Sequence, residues 1–509
     1  MDFADRQTAL PLLDALYASA ERTNAAFHTP GHKRGQGISS ALAEVLGAAV
    51  FRADLPELPE LDNLFAPEGV IEQAQGLASE AFGADRTWFL ANGSTCGIEA
   101  AILATCHPGD TLVLPRNAHQ SAIAALILSG AMPVFVAPDY DSTWDMAYSL
   151  PPERVAVALE QHPDAKAVLL VSPTYHGICS NVAAIAQIAH QRNIPLLVDE
   201  AHGAHFSFHP DLPPSALAAG ADLAVQSTHK VLSALTQAAM LHVRGTRIDC
   251  DRLSQALQLV QSTSPSYLLL ASLDAARQQM ATQGKALLDQ TLELAEIART
   301  QISQIPGLSV LSVLSPEQAS VTAGFAALDP TRLTVDITRL GITGFEADAI
   351  LHQTLGVTAE LPSLRHLTFI ISLGNKLADI DRLVQAFKTL VAKNQRAAAL
   401  GSVEPSTTAP ILPNLPSSEA LLRQFTASSA ALSPRDAFFA PTVPVTIDRA
   451  VDRVSAELVC PYPPGIPVLF PGELITLEAI EYLQQVIKAG GIITGCSDPM
   501  LHSLKVVRE

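Results

Sequence analysis

Between about residue 70 and residue 243 the sequence alternates short, uniformly apolar runs with helical patterns, and this constrains the fold more than any other feature. The runs WFL, TLVLP, PVFVAP, AKAVLLV, IPLLV, ADLAVQ and AAMLHV read as strands. IEQAQGLASEAFG (closed by Gly83), IEAAILATC, HQSAIAALILSG and NVAAIAQIAHQRN, with Asn181 as its N-cap, read as helices. A strand that is apolar on both faces is covered on both faces. Helices between such strands predict an α/β fold with a mostly parallel sheet. In sheets of this kind ligands collect beyond the carboxyl ends of the strands. The polar clusters of this sequence fall there.

The rest of the chain divides by composition. Residues 1–69 form an N-terminal segment with two irregular stretches, FHTPGHKRGQG and ADLPELPELDNLFAPEG. Residues 70–295 are the expected major domain, 296–400 a smaller α+β domain, 401–420 a linker rich in Pro, Ser and Thr, and 421–509 a C-terminal α+β domain. Hydrophobic residues make up 48% and charged residues 16%, the composition of a well-buried folded chain. Thirty-two Lys and Arg against 50 Asp and Glu leave a formal charge of −18, which argues against nonspecific nucleic-acid binding. An acidic field suits a cationic substrate, and it equally suits solubility alone. The first residues lack the pattern of a secretory signal, and no apolar run is as long as a membrane span. The six cysteines form no CxxC pair. A cytoplasmic location is therefore expected.

Four clusters carry the chemistry. ANGSTCG, at 91–97, opens a helix with Ser94 and Thr95, and free N–H groups and hydroxyls there suit a phosphate. VDEAHG, at 198–203, ends a buried strand on Asp199, a carboxylate that needs a positive partner such as a protonated ring nitrogen. ADLAVQSTHK, at 221–230, ends on Ser227, His229 and Lys230, and a lysine amine can form a Schiff base with an aldehyde. RNAHQS, at 116–121, offers His119 to stack on a planar ring. Three of them have a plain alternative: a capped turn at ANGSTCG, a structural ion pair or a metal set through Glu200, His202 and His205 at VDEAHG, and a helix cap at His119. Together the four describe a site for pyridoxal 5′-phosphate, with no metal.

The sequence resembles the Orn/Lys/Arg decarboxylase family in FHTPGHKRG, GVIEQAQGLASEAFGA, FLANGSTCGI, SPTYHGICSN, LLVDEAHGAH, STHKVLSALTQAAMLHV and SAELVCPYPPGIPVLFPGE, stretches spread over most of the chain. The resemblance implies the fold type I architecture of pyridoxal-phosphate enzymes and covalent attachment of the cofactor at Lys230. It implies Asp199 as partner of the pyridine nitrogen and His119 over the ring. Ser94, Thr95, Ser227 and His229 would surround the phosphate, His202 would lie beside the ring, and Thr174 would face its O3′ side. His229 or Lys230 would return the proton to Cα. The implied reaction is decarboxylation of a basic amino acid, arginine first, with lysine and ornithine as close alternatives. Glu457, and secondarily Asp62, would read the distal cation. A homodimer or a tetramer is implied, with the loop carrying His32 and Lys33 in a shared site. The chain resembles the shorter form of the family, without the extra N-terminal domain of the larger members. Two departures stand out: Phe65, where a histidine is common, and Ser233, where a proline is common. An aminotransferase or another lyase is the second reading, with Arg365 as its carboxylate anchor. A non-catalytic homologue is a third, and the presence of both Asp199 and Lys230 weighs against it.

Overall fold

The computed structural model describes residues 3–314, 322–399 and 431–508, so the linker expected at 401–420 lies outside the described residues. By compactness the chain forms two units, each assembled from separate stretches: Met1–Thr105 with Pro195–Leu288, and Cys106–Ile194 with Asp289–Glu509. These units interleave along the chain and do not coincide with the contiguous segments marked out by composition.

In the first unit, Arg86–Leu90 pairs antiparallel with Ala239–Val243, in register from Arg86 opposite Val243 to Leu90 opposite Ala239. Ala239–Val243 pairs antiparallel with Leu223–Gln226, which runs parallel to Leu196–Asp199, with Val225 opposite Asp199. Every residue of these strands except Arg86 is buried, the polar Thr87, Asp199, Gln226 and His242 among them. The helix Val70–Phe82 ends on Gly83 in the left-handed region, as its glycine predicts. The helix Gly93–Thr105 lies so close to the strands that a Cβ on Gly97 would come within 2.6 Å of Val225 Cγ1 and 2.8 Å of Leu90 Cδ1. The helix Pro11–Ala20 is anchored by buried Asp274, which accepts from the N–H groups of Leu12 (3.0 Å) and Leu13 (3.3 Å). Buried Arg277 pairs with Asp274 and donates to the Gln7 carbonyl at 2.8 Å.

In the second unit, Thr111–Pro115 runs parallel to both Met132–Val136 and Ala167–Val171. Their helices are Gln120–Ser129, Pro152–Gln161 and Val182–His190, the last capped by Asn181, which accepts from Ala184 N–H at 3.1 Å. A four-stranded antiparallel sheet follows, with Arg332–Asp336 between Ser309–Val310 and His366–Ile370 and with Leu361–Pro362 at the far edge. Its core holds Leu333, Val335, Leu367, Phe369, Phe387 and Leu390. The C-terminal part pairs Thr442–Thr446 with Ser503–Val507 and Cys460–Tyr462 with Ile492–Thr494, and packs the helix Leu477–Lys488 over Val459, Leu469, Leu504 and Val506. The architecture is α/β with mixed, mostly parallel major strands and smaller α+β parts, the class read from the sequence.

Candidate active site

The strand ends of the first unit gather the residues that the motifs single out. Leu196–Asp199 stops on Asp199 because the next residues turn: Gly203 N–H bonds the Glu200 carbonyl at 2.9 Å. Asp199 is buried, and its Oδ1 accepts from Ala201 N–H at 3.1 Å. Burial pushes this carboxyl above its ordinary value, opposed by the charge of Lys230 and the Ala201 N–H. A carboxylate in that state is completed by a cation.

Leu223–Gln226 runs into Ser227 and a single helical turn, Thr228–Val231, that carries His229 and Lys230. Lys230 Nζ lies 3.0 Å from His202 Nε2, within hydrogen-bond reach. His229 Nδ1–H donates to the Ala238 carbonyl at 2.9 Å, which leaves Nε2 as its acceptor. Ser227 Oγ donates to Ser94 Oγ at 2.8 Å. Ser94 and the exposed Thr95 occupy the first turn of Gly93–Thr105, entered through Gly93 at φ +76°. Two hydroxyls beside the free N–H groups of a helix start form an anion cradle. The buried Thr228 hydroxyl finds no hydrogen-bond partner among the described residues, and the motif reading passed over it. Ser233 Oγ donates to Gln279 at 2.6 Å.

His119, Thr174, Arg365 and Glu457 belong to the second unit. His119 is the N-cap of Gln120–Ser129, its Nδ1 accepting from Ser121 N–H at 3.2 Å and facing Ser121 Oγ at 2.9 Å. That fixes the imidazole proton on Nε2. The PPG turn leans on the same place: Gln120 N–H bonds the Gly465 carbonyl at 3.0 Å, and Tyr175 Oη donates to the Pro464 carbonyl at 2.8 Å. Thr174 is buried and its hydroxyl accepts from Ile178 N–H at 3.2 Å. Arg365 stands just before His366–Ile370, 3.9 Å from Asp145.

The two acids proposed to read a distal cation are engaged with backbone. Glu457 accepts from Ser497 N–H (2.7 Å) on one oxygen and Lys505 N–H (2.8 Å) on the other, so it braces the C-terminal part. Asp62 accepts from Asn63, Glu68, Gly69, Ile71 and Glu72 N–H groups, anchoring the start of Val70–Phe82. Burial would raise Asp62, but these donors hold it below its ordinary value. In the N-terminal loop, His32 Nε2 meets Asp54 at 3.0 Å and Lys33 Nζ donates to the His28 carbonyl. Phe65 is half-buried.

Motif reading missed a buried ion pair. Arg116 and Glu473 meet at 2.8 and 3.1 Å, and Arg116 also donates to the Pro467 and Val468 carbonyls and stacks over Phe470. RNAHQS and PGE each hold one partner, but nothing local links two residues so far apart in sequence. Glu200, once considered for a metal set, instead accepts from Ala216 N–H (2.7 Å) and Gln226 Nε2 (2.8 Å). Among the described residues no group of three His, Cys, Asp or Glu is placed to hold a metal ion, and no helix is long and apolar enough to cross a membrane.

The family model for the major domain of Orn/Lys/Arg decarboxylase matches residues 10–379, and that for its C-terminal domain matches 420–497. An arginine decarboxylase of Bacillus subtilis (strain 168) is 38% identical over 503 residues, 99% of each chain. One from Halalkalibacterium halodurans is 39% identical over 504 residues, again 99% of each. Among solved structures, lysine decarboxylase A from Pseudomonas aeruginosa superposes with a TM-score of 0.81 at 24% identity, over 99% of this chain and 81% of that one.

Proposed function

Because the chain belongs to the Orn/Lys/Arg decarboxylase family, we propose that it converts L-arginine to agmatine and carbon dioxide. It is a pyridoxal-phosphate-dependent carboxy-lyase acting on a basic amino acid. The observation that carries arginine over lysine or ornithine is the near full-length identity to arginine decarboxylases.

The residues of the first unit fit the cofactor. Ser94, Thr95 and Ser227 supply hydroxyls and helix-start N–H groups for a phosphate, Asp199 calls for a cation, and Lys230 presents an amine for covalent attachment. When bound, pyridoxal phosphate supplies the sink for the electron pair left at the substrate Cα. Asp199 holds its negative charge where a protonated ring nitrogen can pair with it. Lys230 becomes nucleophilic by giving a proton up, and His202 Nε2 at 3.0 Å is placed to take it. His229 Nε2 or the Lys230 amine carries the proton to Cα, since His229 Nδ1 is occupied by Ala238. His119 and Thr174 complete the proposal through the motifs that carry them. The protein is proposed to be a cytoplasmic homodimer.

Incubation with pyridoxal phosphate and separately with arginine, lysine and ornithine tests the reading. Agmatine and carbon dioxide from arginine are expected at the highest kcat/KM. Borohydride reduction followed by peptide mass analysis is expected to place the adduct on Lys230. A keto acid without amine product, or an adduct on another lysine, would overturn it.

A further inference from the structure

Behind Asp199 and Ser227 runs a buried hydrogen-bonded chain that the reaction does not use. Thr87 Oγ lies 2.8 Å from His242 Nδ1, His242 Nε2 lies 3.2 Å from Gln226 Oε1, and Gln226 Nε2 donates to Glu200 Oε2 at 2.8 Å. Ala216 N–H closes the chain on Glu200 Oε1 at 2.7 Å. Thr87, His242, Gln226 and Glu200 are all at most 3% exposed, so no water competes. Thr87 and His242 are opposite each other across their strands, and Glu200 N–H bonds the Val225 carbonyl at 2.9 Å. The chain therefore runs across Arg86–Leu90, Ala239–Val243 and Leu223–Gln226 to the residue just beyond Leu196–Asp199. It passes through the residue after Asp199 and the residue before Ser227.

We propose that Glu200 is a positioning residue whose charge state sets the direction of this chain, which holds Asp199 and Ser227 in register for the cofactor. The inference rests on the functional reading above. The direction follows from donor and acceptor chemistry. Ala216 N–H can only donate, so Glu200 Oε1 always accepts. With Glu200 ionised, Gln226 must turn its NH2 to Oε2 and its oxygen to His242, which then carries its proton on Nε2 and accepts from the Thr87 hydroxyl. This is the arrangement in the structure. Placing a proton on Glu200 Oε2 makes that oxygen a donor. Gln226 must then flip, His242 must move its proton to Nδ1, and Thr87 must accept. The three side-chain bonds survive with their directions reversed, and the bond from Ala216 N–H is unchanged.

Two buried groups support this. Burial lowers His242 to about 3, so the imidazole has one proton to place. Burial raises Glu200 to about 8, opposed by the hydrogen bonds from Gln226 and Ala216. Among the described residues these two are its side-chain hydrogen-bond partners. Of the titratable groups nearby, His242 is neutral, and Asp199 is engaged with Ala201 and Lys230.

The experiment uses the full chain with selectively 15N-labelled histidine, His242 being assigned by its loss in His242→Gln. In the apoprotein, long-range 1H–15N spectra are expected to show the His242 proton on Nε2 at alkaline pH and on Nδ1 once Glu200 is protonated. Glu200→Gln must turn its oxygen to Ala216 and its NH2 to Gln226, so it is expected to hold His242 in the Nδ1–H form at every pH. An Nε2–H tautomer in Glu200→Gln would overturn the directional chain. Pyridoxal phosphate titration is the second readout. Glu200→Gln keeps the chain closed and is expected to retain the wild-type Kd within about threefold, whereas Glu200→Leu and Gln226→Leu cut it and are expected to raise Kd by about tenfold or more. Wild-type affinity in both leucine variants would remove the positioning role. Failure of the wild-type protein to bind pyridoxal phosphate would overturn the functional reading and the positioning role together. The apoprotein tautomer stands or falls separately.

Discussion

Lys230 was legible because everything that marks it is local: a buried strand, two hydroxyls, a histidine and then the amine, within one decapeptide. Asp199 was legible for the same reason, as a carboxylate ending an apolar run. Glu457 shows the limit of such reading. Its motif announces an acid in a structured turn, but its partners, Ser497 and Lys505, lie 40 and 48 residues further on. Only the fold reveals them. The geometry also separates the two roles proposed for it. A glutamine at 457 has one oxygen for two backbone donors, so its NH2 faces an N–H, and a buried donor left unmatched costs about 1–3 kcal/mol. Glu457→Gln is expected to lower the melting temperature measured by calorimetry and to leave KM for arginine nearly unchanged. A raised KM for arginine at an unaltered melting temperature would instead make Glu457 the reader of the distal cation.

At the scale of elements, the apolar runs and their intervening helices were readable because burial on both faces leaves an unbroken pattern, and Gly83 and Asn181 announced their boundaries by backbone chemistry. Strand direction was not written locally. The antiparallel placement of Arg86–Leu90 and Ala239–Val243 depends on partners 149 to 157 residues apart, from Leu90 opposite Ala239 to Arg86 opposite Val243. The Asp274 and Arg277 anchor escaped notice because two charges on an otherwise amphipathic helix look like a solvated face. The helix Gly93–Thr105 links packing to the site most directly. Its first turn presents Ser94 to Ser227, while Gly97, one turn further along, touches the sheet. A methyl at 97 would sit 2.6 Å from Val225 and must push the helix outward, and overpacking of this kind costs about 1–3 kcal/mol. Gly97→Ala is expected to weaken pyridoxal phosphate binding in a fluorescence titration as well as to lower stability. Wild-type affinity in a folded Gly97→Ala protein would separate the helix position from the phosphate cradle.

For the molecule as a whole, the N-terminal stretch raises a problem of exposed apolar surface. The helix Ser40–Leu46 buries none of its residues, yet it carries Leu42, Val45 and Leu46, and Val45 is 79% exposed. Phe27, at the start of the HTPGHK loop, is 92% exposed. Apolar side chains grouped this way on one short segment call for a cover. A charge of −18 makes casual association unfavourable, so the cover must be specific. A second copy of the chain is the occupant consistent with the shared-site dimer that the resemblance implies, since the same segment carries His32 and Lys33. Sedimentation equilibrium is therefore expected to give twice the 53.8 kDa chain mass, with Val45→Asp combined with Leu46→Asp shifting the protein to the monomer. Because neither residue belongs to the proposed cofactor cluster, loss of decarboxylation in that variant, regained at high protein concentration, would tie activity to assembly through this segment. A wild-type monomer would remove the dimer, and a variant that stays dimeric would place the interface elsewhere on the chain.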